Sequence, residues 1–206
     1  MTEIRAFITD SDLLSAYSEQ ILGTISIRYE RRYLESKTER QKSGALAAAL
    51  LLKSFAGIGR EYGMECNEHG KPYVPGKPHF SLSHSDELTV LAVSGDMPVG
   101  IDIEQIGRVT PRIIRKVSRF DTSSASELDL VREWTRVEAA LKLKGTGFYA
   151  DPLKLDNEDL FYTSCVHDGR FITCAAEKEH CLTVGLVKFE IKDNRITYMI
   201  ENVQKG

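Results

Sequence analysis

Two acids interrupt an otherwise apolar run, VGIDIEQI, from Val99 to Ile106. Successive side chains of a strand point to opposite faces, so Val99, Ile101 and Ile103 share one face and Gly100, Asp102 and Glu104 the other. At a rise of roughly 3.3 Å per residue the two carboxylates are rooted about 6.6 Å apart, close enough to repel and close enough to reach one cation. A third acid, Glu138, precedes Lys142 by one helical turn in REWTRVEAALKLKG, on the border of an apolar stripe of Trp134, Val137, Ala140 and Leu141. Alone, that spacing describes an ordinary surface ion pair of small energetic weight. Together with Asp102 and Glu104 it describes the donor set of a phosphate-handling magnesium site. Hard Mg²⁺ takes one or two carboxylates plus phosphate oxygens and water, and a lysine adds a second positive point. A polar strand face and a separate ion pair remain the alternative until strand and helix are shown to meet.

Two further stretches carry groups suited to anions. In FSLSHS, Phe80 and Leu82 alternate with Ser81 and Ser83 as in a half-buried strand, and His84 follows near its end. Such a histidine can donate to an anion or serve as a structural hydrogen-bonding residue. In EHGKPYV, Lys71 lies between a permissive glycine and a stiff proline, which fixes the chain direction beside a cation. Arg28, Arg31, Arg32, Lys37, Arg40 and Lys42 crowd one N-terminal stretch and fit the solvated face of a helix equally well.

The elements that must position these groups follow from periodicity. RAFITD reads as a first strand and Asp12 to Gln20 as a short helix. Thr38 followed by Gln41 has the form of a capping box, and the Ala/Leu-rich run behind it extends a helix from Thr38 to about Phe55. MECNEHGKPYV, HFSLSHS, LTVLAVSG and the acidic run then read as strands. Helices at about Pro111 to Val117 and Glu127 to Lys144 come next, then strands in LFYTSCVHDGRFITCAAE, CLTVGLVKFEI and ITYMIENV, with Asp168-Gly169 as a hairpin turn. Helix followed by sheet thus occurs twice. The simplest expected fold is α+β, with two similar helix-plus-antiparallel-sheet lobes, residues 1–98 and 99–206, and the site at their interface; an unrelated single α+β domain is the alternative.

With 206 residues and 42% hydrophobic content the chain can bury a substantial core, and a net charge of -3 gives no general pull toward nucleic acid or anionic membranes. The start, MTEIRAFITDSD, has no secretory pattern, and ALAAALLL is too short to cross a bilayer. Cys66, Cys165, Cys174 and Cys181 form no CxxC pair and receive no chemistry. A cytoplasmic protein is expected.

Taken in order, GKPYV, FSLSHS, VGIDIE and EWTRVEAALKLKG resemble the 4′-phosphopantetheinyl transferases, specifically the larger, surfactin-synthetase-activating type. The resemblance covers well over half the chain and thins out after Gly147. It implies two lobes related by pseudo-twofold symmetry, a monomer, and transfer of the phosphopantetheine arm of coenzyme A to a serine of an acyl or peptidyl carrier protein, releasing adenosine 3′,5′-bisphosphate. By motif position it implies that Asp102, Glu104 and Glu138 hold Mg²⁺ against the pyrophosphate, that Glu138 takes the serine proton, and that Lys142 steadies the leaving phosphate. It also implies that Ser83 and His84 hold the 3′-phosphate, with Arg40 and Lys71 on the adenine nucleotide; the arginines near Arg28 and Arg32 suit either the 3′-phosphate or a purely solvated role. One position departs from the family pattern WxxKEAxxK: Val137 stands where a lysine is usual, and Arg136 points about 100° away on the helix. That departure keeps a noncatalytic coenzyme A or carrier-binding relative in view, and the acids alone would also suit another Mg²⁺-dependent phosphotransferase.

Overall fold

The strongest helix-start signals lie at Thr38 and Ser126. In the computed structural model, which describes residues 2–12, 14–155, 159–193 and 195–205 and side chains as far as Asn202, both are closed capping boxes. Thr38 accepts from the Gln41 amide while the Gln41 side chain accepts from the Thr38 amide, and Ser126 and Asp129 do the same. The two long helices, α3 (Glu39–Phe55) and α5 (Glu127–Lys144), start there. α5 ends at Gly145, whose φ of 71° is the left-handed conformation that a side chain resists.

Around them run β1 (Thr2–Asp10), α1 (Ser18–Leu22), α2 (Ile27–Glu35), the short pair β2 (Glu65–Cys66) and β3 (Pro72–Tyr73), β4 (His79–Ser85), β5 (Leu88–Ser94), β6 (Gly100–Gln105) and α4 (Pro111–Val117). The chain finishes with β7 (Phe161–His167), β8 (Arg170–Ala176), β9 (His180–Lys192) and β10 (Arg195–Lys205). Asp168 and Gly169 turn the β7–β8 hairpin, both with positive φ, as the Asp-Gly signal predicts.

The two halves share a connectivity. β1, α3, β4 and β5 form antiparallel strands in the order β1-β5-β4, and β6, α5, β7 and β8 form them in the order β6-β8-β7. Helix and antiparallel sheet are therefore mixed in each half, as an α+β class requires. The last hairpin behaves otherwise: β9 pairs with β1 in parallel and β10 lies outside it, so the first sheet is five-stranded, β10-β9-β1-β5-β4. Sheet membership thus does not follow a cut at residue 98, and the sheets are not purely antiparallel. Leu182 and Val184 of β9 carry the apolar alternation that lets it join Ile4, Ala6 and Ile8 of β1 on one buried face.

Layering follows from which faces are apolar. Phe7, Leu91, Val93 and Phe80 pack against α3 through Leu46, Leu50 and Leu51. The other face of that sheet meets Ile101, Ile103, Ile172 and Cys174 of the three-stranded sheet. Ala175 on the far side of β8 receives α5 through Ala139, Ala140 and Leu143. α5 lies so close to β6 that a Cβ on Gly100 would stand 1.9 Å from the Ala139 carbonyl oxygen and 2.5 Å from the Leu143 amide nitrogen. No described helix is long and apolar enough to cross a membrane.

Candidate functional site

Where β4 and β6 run side by side, the alternation in FSLSHS becomes a seam. Ser81 Oγ accepts from the Ile101 amide at 3.1 Å, Ser83 Oγ donates to Asp102 Oδ1 at 2.7 Å, and Ser85 Oγ donates to Glu104 Oε1 at 3.1 Å. Phe80 points the other way, into the α3 core, as a period of two demands. His84, also on that opposite side, is left at the rim of the groove.

Across the seam stands the polar edge of α5. Its approach at Gly100 brings Lys142 over β6, where Nζ donates to Asp102 Oδ1 and to Ser83 Oγ, both at 2.7 Å. Lys142 therefore pairs across the fold with Asp102, and the i,i+4 ion pair with Glu138 that the helix spacing allowed does not form. Asp102 is 4% exposed, and its second oxygen, Oδ2, is buried without a hydrogen-bond partner. Glu138 is half-buried on the same edge. Burial pushes its carboxyl up to about 7; the charge of Lys142 opposes that rise, and those of Asp102 and Glu104 add to it.

Asp102, Glu104, Glu138, Lys142, Ser83 and His84 all line one cavity of about 330 Å³. The strand and the helix named from sequence do meet. Two cavities adjoin it, one of about 570 Å³ past His84, Glu104 and Arg40, and one of about 320 Å³ past Lys71 and Lys142. Arg32 on α2 lines all three, and Arg28, one turn earlier on the same face, lines the last. The imidazole of His84 is held below its ordinary value by desolvation and by the nearby charges of Arg32 and Lys142.

Two expected nucleotide contacts are tied up in the protein itself. Lys71 donates Nζ to the carbonyls of Val99, at 3.2 Å, and Leu143, at 3.1 Å, fastening the end of α5 to the entry of β6. Burial lowers its ammonium to about 8. Arg40 pairs with Asp86, which also receives Arg108 at 2.7 Å. Arg108 and Asp86 carry no motif signal, and Trp134, read only as an apolar stripe residue, lines the acidic cavity. Val137 does not face that cavity: it is buried against Val117 and Leu141, so the missing lysine leaves an apolar contact in its place.

A divalent cation would find a partial site here. Among the described residues no group of three or more His, Cys, Asp or Glu side chains is arranged to hold a metal by itself. The unpartnered Asp102 Oδ2, beside two further carboxylates in one cavity, is the feature that suits an ion completing its shell with phosphate oxygens and water.

No family model matches the chain. Among curated proteins it is 25% identical over 201 residues to the 4′-phosphopantetheinyl transferase of Bacillus subtilis, covering 85% of this chain and 88% of that one. It is 38% identical over 96 residues to the enzyme of that name from Aneurinibacillus migulanus, covering 40% of this chain and 38% of the relative. Likewise it is 37% identical over 93 residues to that from Bacillus pumilus, covering 40% of each. The two higher-identity matches thus span about two fifths of those relatives' lengths, while the longest runs through most of both chains. With the ordered motifs gathered around one groove, these matches make the chain similar to 4′-phosphopantetheinyl transferases, over most of its length at 25% identity and over two fifths of it at 37–38%.

Proposed function

We propose that the chain transfers the 4′-phosphopantetheine arm of coenzyme A to a serine of an apo acyl or peptidyl carrier protein, with Mg²⁺ as cofactor. The observation that carries this reading is the convergence of Asp102, Glu104, Glu138, Lys142, Ser83 and His84 on one cavity from three separate segments. Two cation-lined cavities extend it on either side, giving room for an elongated polyanion. The two lobes, with the groove between them, are read as pseudo-twofold partners on the strength of their shared strand order. A cytosolic setting belongs to the proposal and draws support from the four free cysteines.

In the proposed reaction the serine oxygen attacks the phosphorus bearing the pantetheine arm. The bond to the second phosphate breaks, and adenosine 3′,5′-bisphosphate leaves with the electron pair. Asp102, Glu104 and Glu138 would hold the ion, which supplies charge neutralisation on the pyrophosphate when bound. Glu138 would receive the serine proton as a carboxylate, which burial makes more basic by raising it to about 7. Lys142 is pre-aligned by Asp102 and Ser83, so its ammonium meets the leaving phosphate without first being ordered. Arg32 and His84 line the wall against which the nucleotide phosphates would lie.

The test uses the purified chain with coenzyme A, MgCl₂ and an apo carrier protein, read by intact mass. A gain of about 340 Da on the carrier is expected, as the phosphate-bearing arm attaches. It should be lost in EDTA and fall at least about a hundredfold in Asp102→Ala and Glu138→Ala. No gain across several apo carriers that a known transferase modifies would end the proposal, and full transfer in both variants would end the metal assignment.

A further inference from the structure

Gly44 stands inside α3, where glycine weakens a helix because it loses more backbone freedom on folding than any other residue. Other glycines of the fold have a structural reason. Gly100 has no space for a side chain, and Gly145 takes a positive φ. Gly44 has neither: its φ is not positive, and among the described residues an added Cβ would meet nothing within 4 Å.

Its surroundings supply a different reason. The acidic cavity of about 330 Å³ and the larger one of about 570 Å³ have Arg32, Gly44, His84 and Glu104 in common, so these residues form the neck between them. Arg32 reaches the neck from α2, His84 from the end of β4 and Glu104 from β6, each with a long side chain, while Gly44 presents none. Ala45 continues the low α3 wall into the larger cavity, and Ala48, one turn on from Gly44, continues it into the acidic one.

Small residues alone would mark only open space. Here they share the acidic cavity with Asp102, which is 4% exposed and has the bare oxygen Oδ2, a buried polar atom that needs something to enter. A ligand centred there and longer than the cavity must leave through a neck. The neck toward Lys71 is lined by Tyr29, Arg32, Leu82 and Lys142, all large side chains. In the neck at Gly44, Glu104 belongs to the acidic set, which leaves the Arg32 guanidinium and the His84 imidazole as donors suited to phosphate.

We propose that Gly44 is a specificity-determining residue: by having no side chain it keeps this neck open to the phosphorylated nucleotide end of coenzyme A, which passes between α3 and the Arg32–His84 pair. This rests on the transfer reaction proposed above and adds the residue that sets the width of the nucleotide's path. The helix is less stable for it, as expected where a ligand and not the core selects the residue.

Gly44→Ala and Gly44→Leu install good helix formers that grow into the neck. Each is expected to raise the Tm of metal-free protein by about 2–4 °C. Each should nevertheless bind coenzyme A more weakly in calorimetry, by about threefold for alanine and at least about tenfold for leucine. Adenosine 3′,5′-bisphosphate, which carries only the nucleotide end, should lose affinity by similar factors. In transfer assays the KM for coenzyme A should rise with kcat much less affected, and the KM for the apo carrier should not follow. A lower Tm in Gly44→Ala would show that packing requires the glycine. Wild-type affinity for coenzyme A in Gly44→Leu would show that nothing passes it, and weakened coenzyme A binding with full bisphosphate affinity would show that the other end does. Each of these overturns the assignment of Gly44 and leaves the transfer reaction standing, whereas a wild type that neither binds coenzyme A nor transfers its arm overturns both.

Discussion

At the scale of single residues, Asp102 and Glu138 show how placement divides chemically similar acids. Asp102 has one oxygen saturated by Ser83 and Lys142 and the other bare, while Glu138 stands half-buried beside like charges. In metal-free protein the Glu138 carboxyl is raised from 4.5 to about 7, so between these values the folded chain holds a proton that the unfolded chain has released. Its contribution to stability is full below 4.5 and is lost as pH rises through about 7. Glu138→Gln should remove that part of the pH slope in melts recorded with EDTA. A bound divalent ion needs the carboxylate, so the rise in Tm on adding Mg²⁺ should be small at about pH 5.5 and large at about pH 8. An equal rise at both would argue against Glu138 as a ligand.

At the scale of elements, the decisive contact is α5 on β6. Two long helices start on capping boxes and would be recognisable in isolation, but only the second stands over an acidic strand. Its distance is set by Gly100, where a side chain has no space, and by Lys71, which ties Val99 to Leu143. Gly100→Ala should drive the helix outward at the cost of about 3 kcal/mol, measured by urea unfolding, and should lower Mg²⁺ affinity because Lys142 and Glu138 move with the helix. A loss below about 0.5 kcal/mol would mean the helix does not depend on that contact.

At the scale of the whole molecule, the turn between β4 and β5 gathers charges from both halves of the chain. Asp86 receives Arg40 from α3 and Arg108 from beyond β6, and Glu87 receives Arg170 from β8. The Arg170 side chain is only 10% exposed, so removing one member strands the other in a partly dry place. Arg170→Ala should destabilise the chain by about 2–3 kcal/mol in urea. The double variant with Glu87→Ala should recover part of that loss; simple additivity would show that the two side chains are not coupled. Together with β9 crossing into the first sheet, this latch means that neither half is complete without the other.

Local signals determined most of the elements. The capping residues Thr38 and Ser126, the Asp168-Gly169 turn and the period-two runs fix helices and strands because their causes lie within a few residues. The sequence also put Asp102 and Glu104 on one strand face and Glu138 and Lys142 on one helix edge, since both follow from fixed periods. What it could not decide was partnership. Lys142 could reach Glu138 along its own helix or Asp102 across the fold, and only tertiary packing at Gly100 chooses the second. Nor do local residues show that Lys71 is engaged by carbonyls, that Val137 faces the core, or that β9 pairs with β1 in parallel. Each of these joins residues far apart along the chain, where the free energy of burying apolar surface, and not any local preference, sets which groups meet.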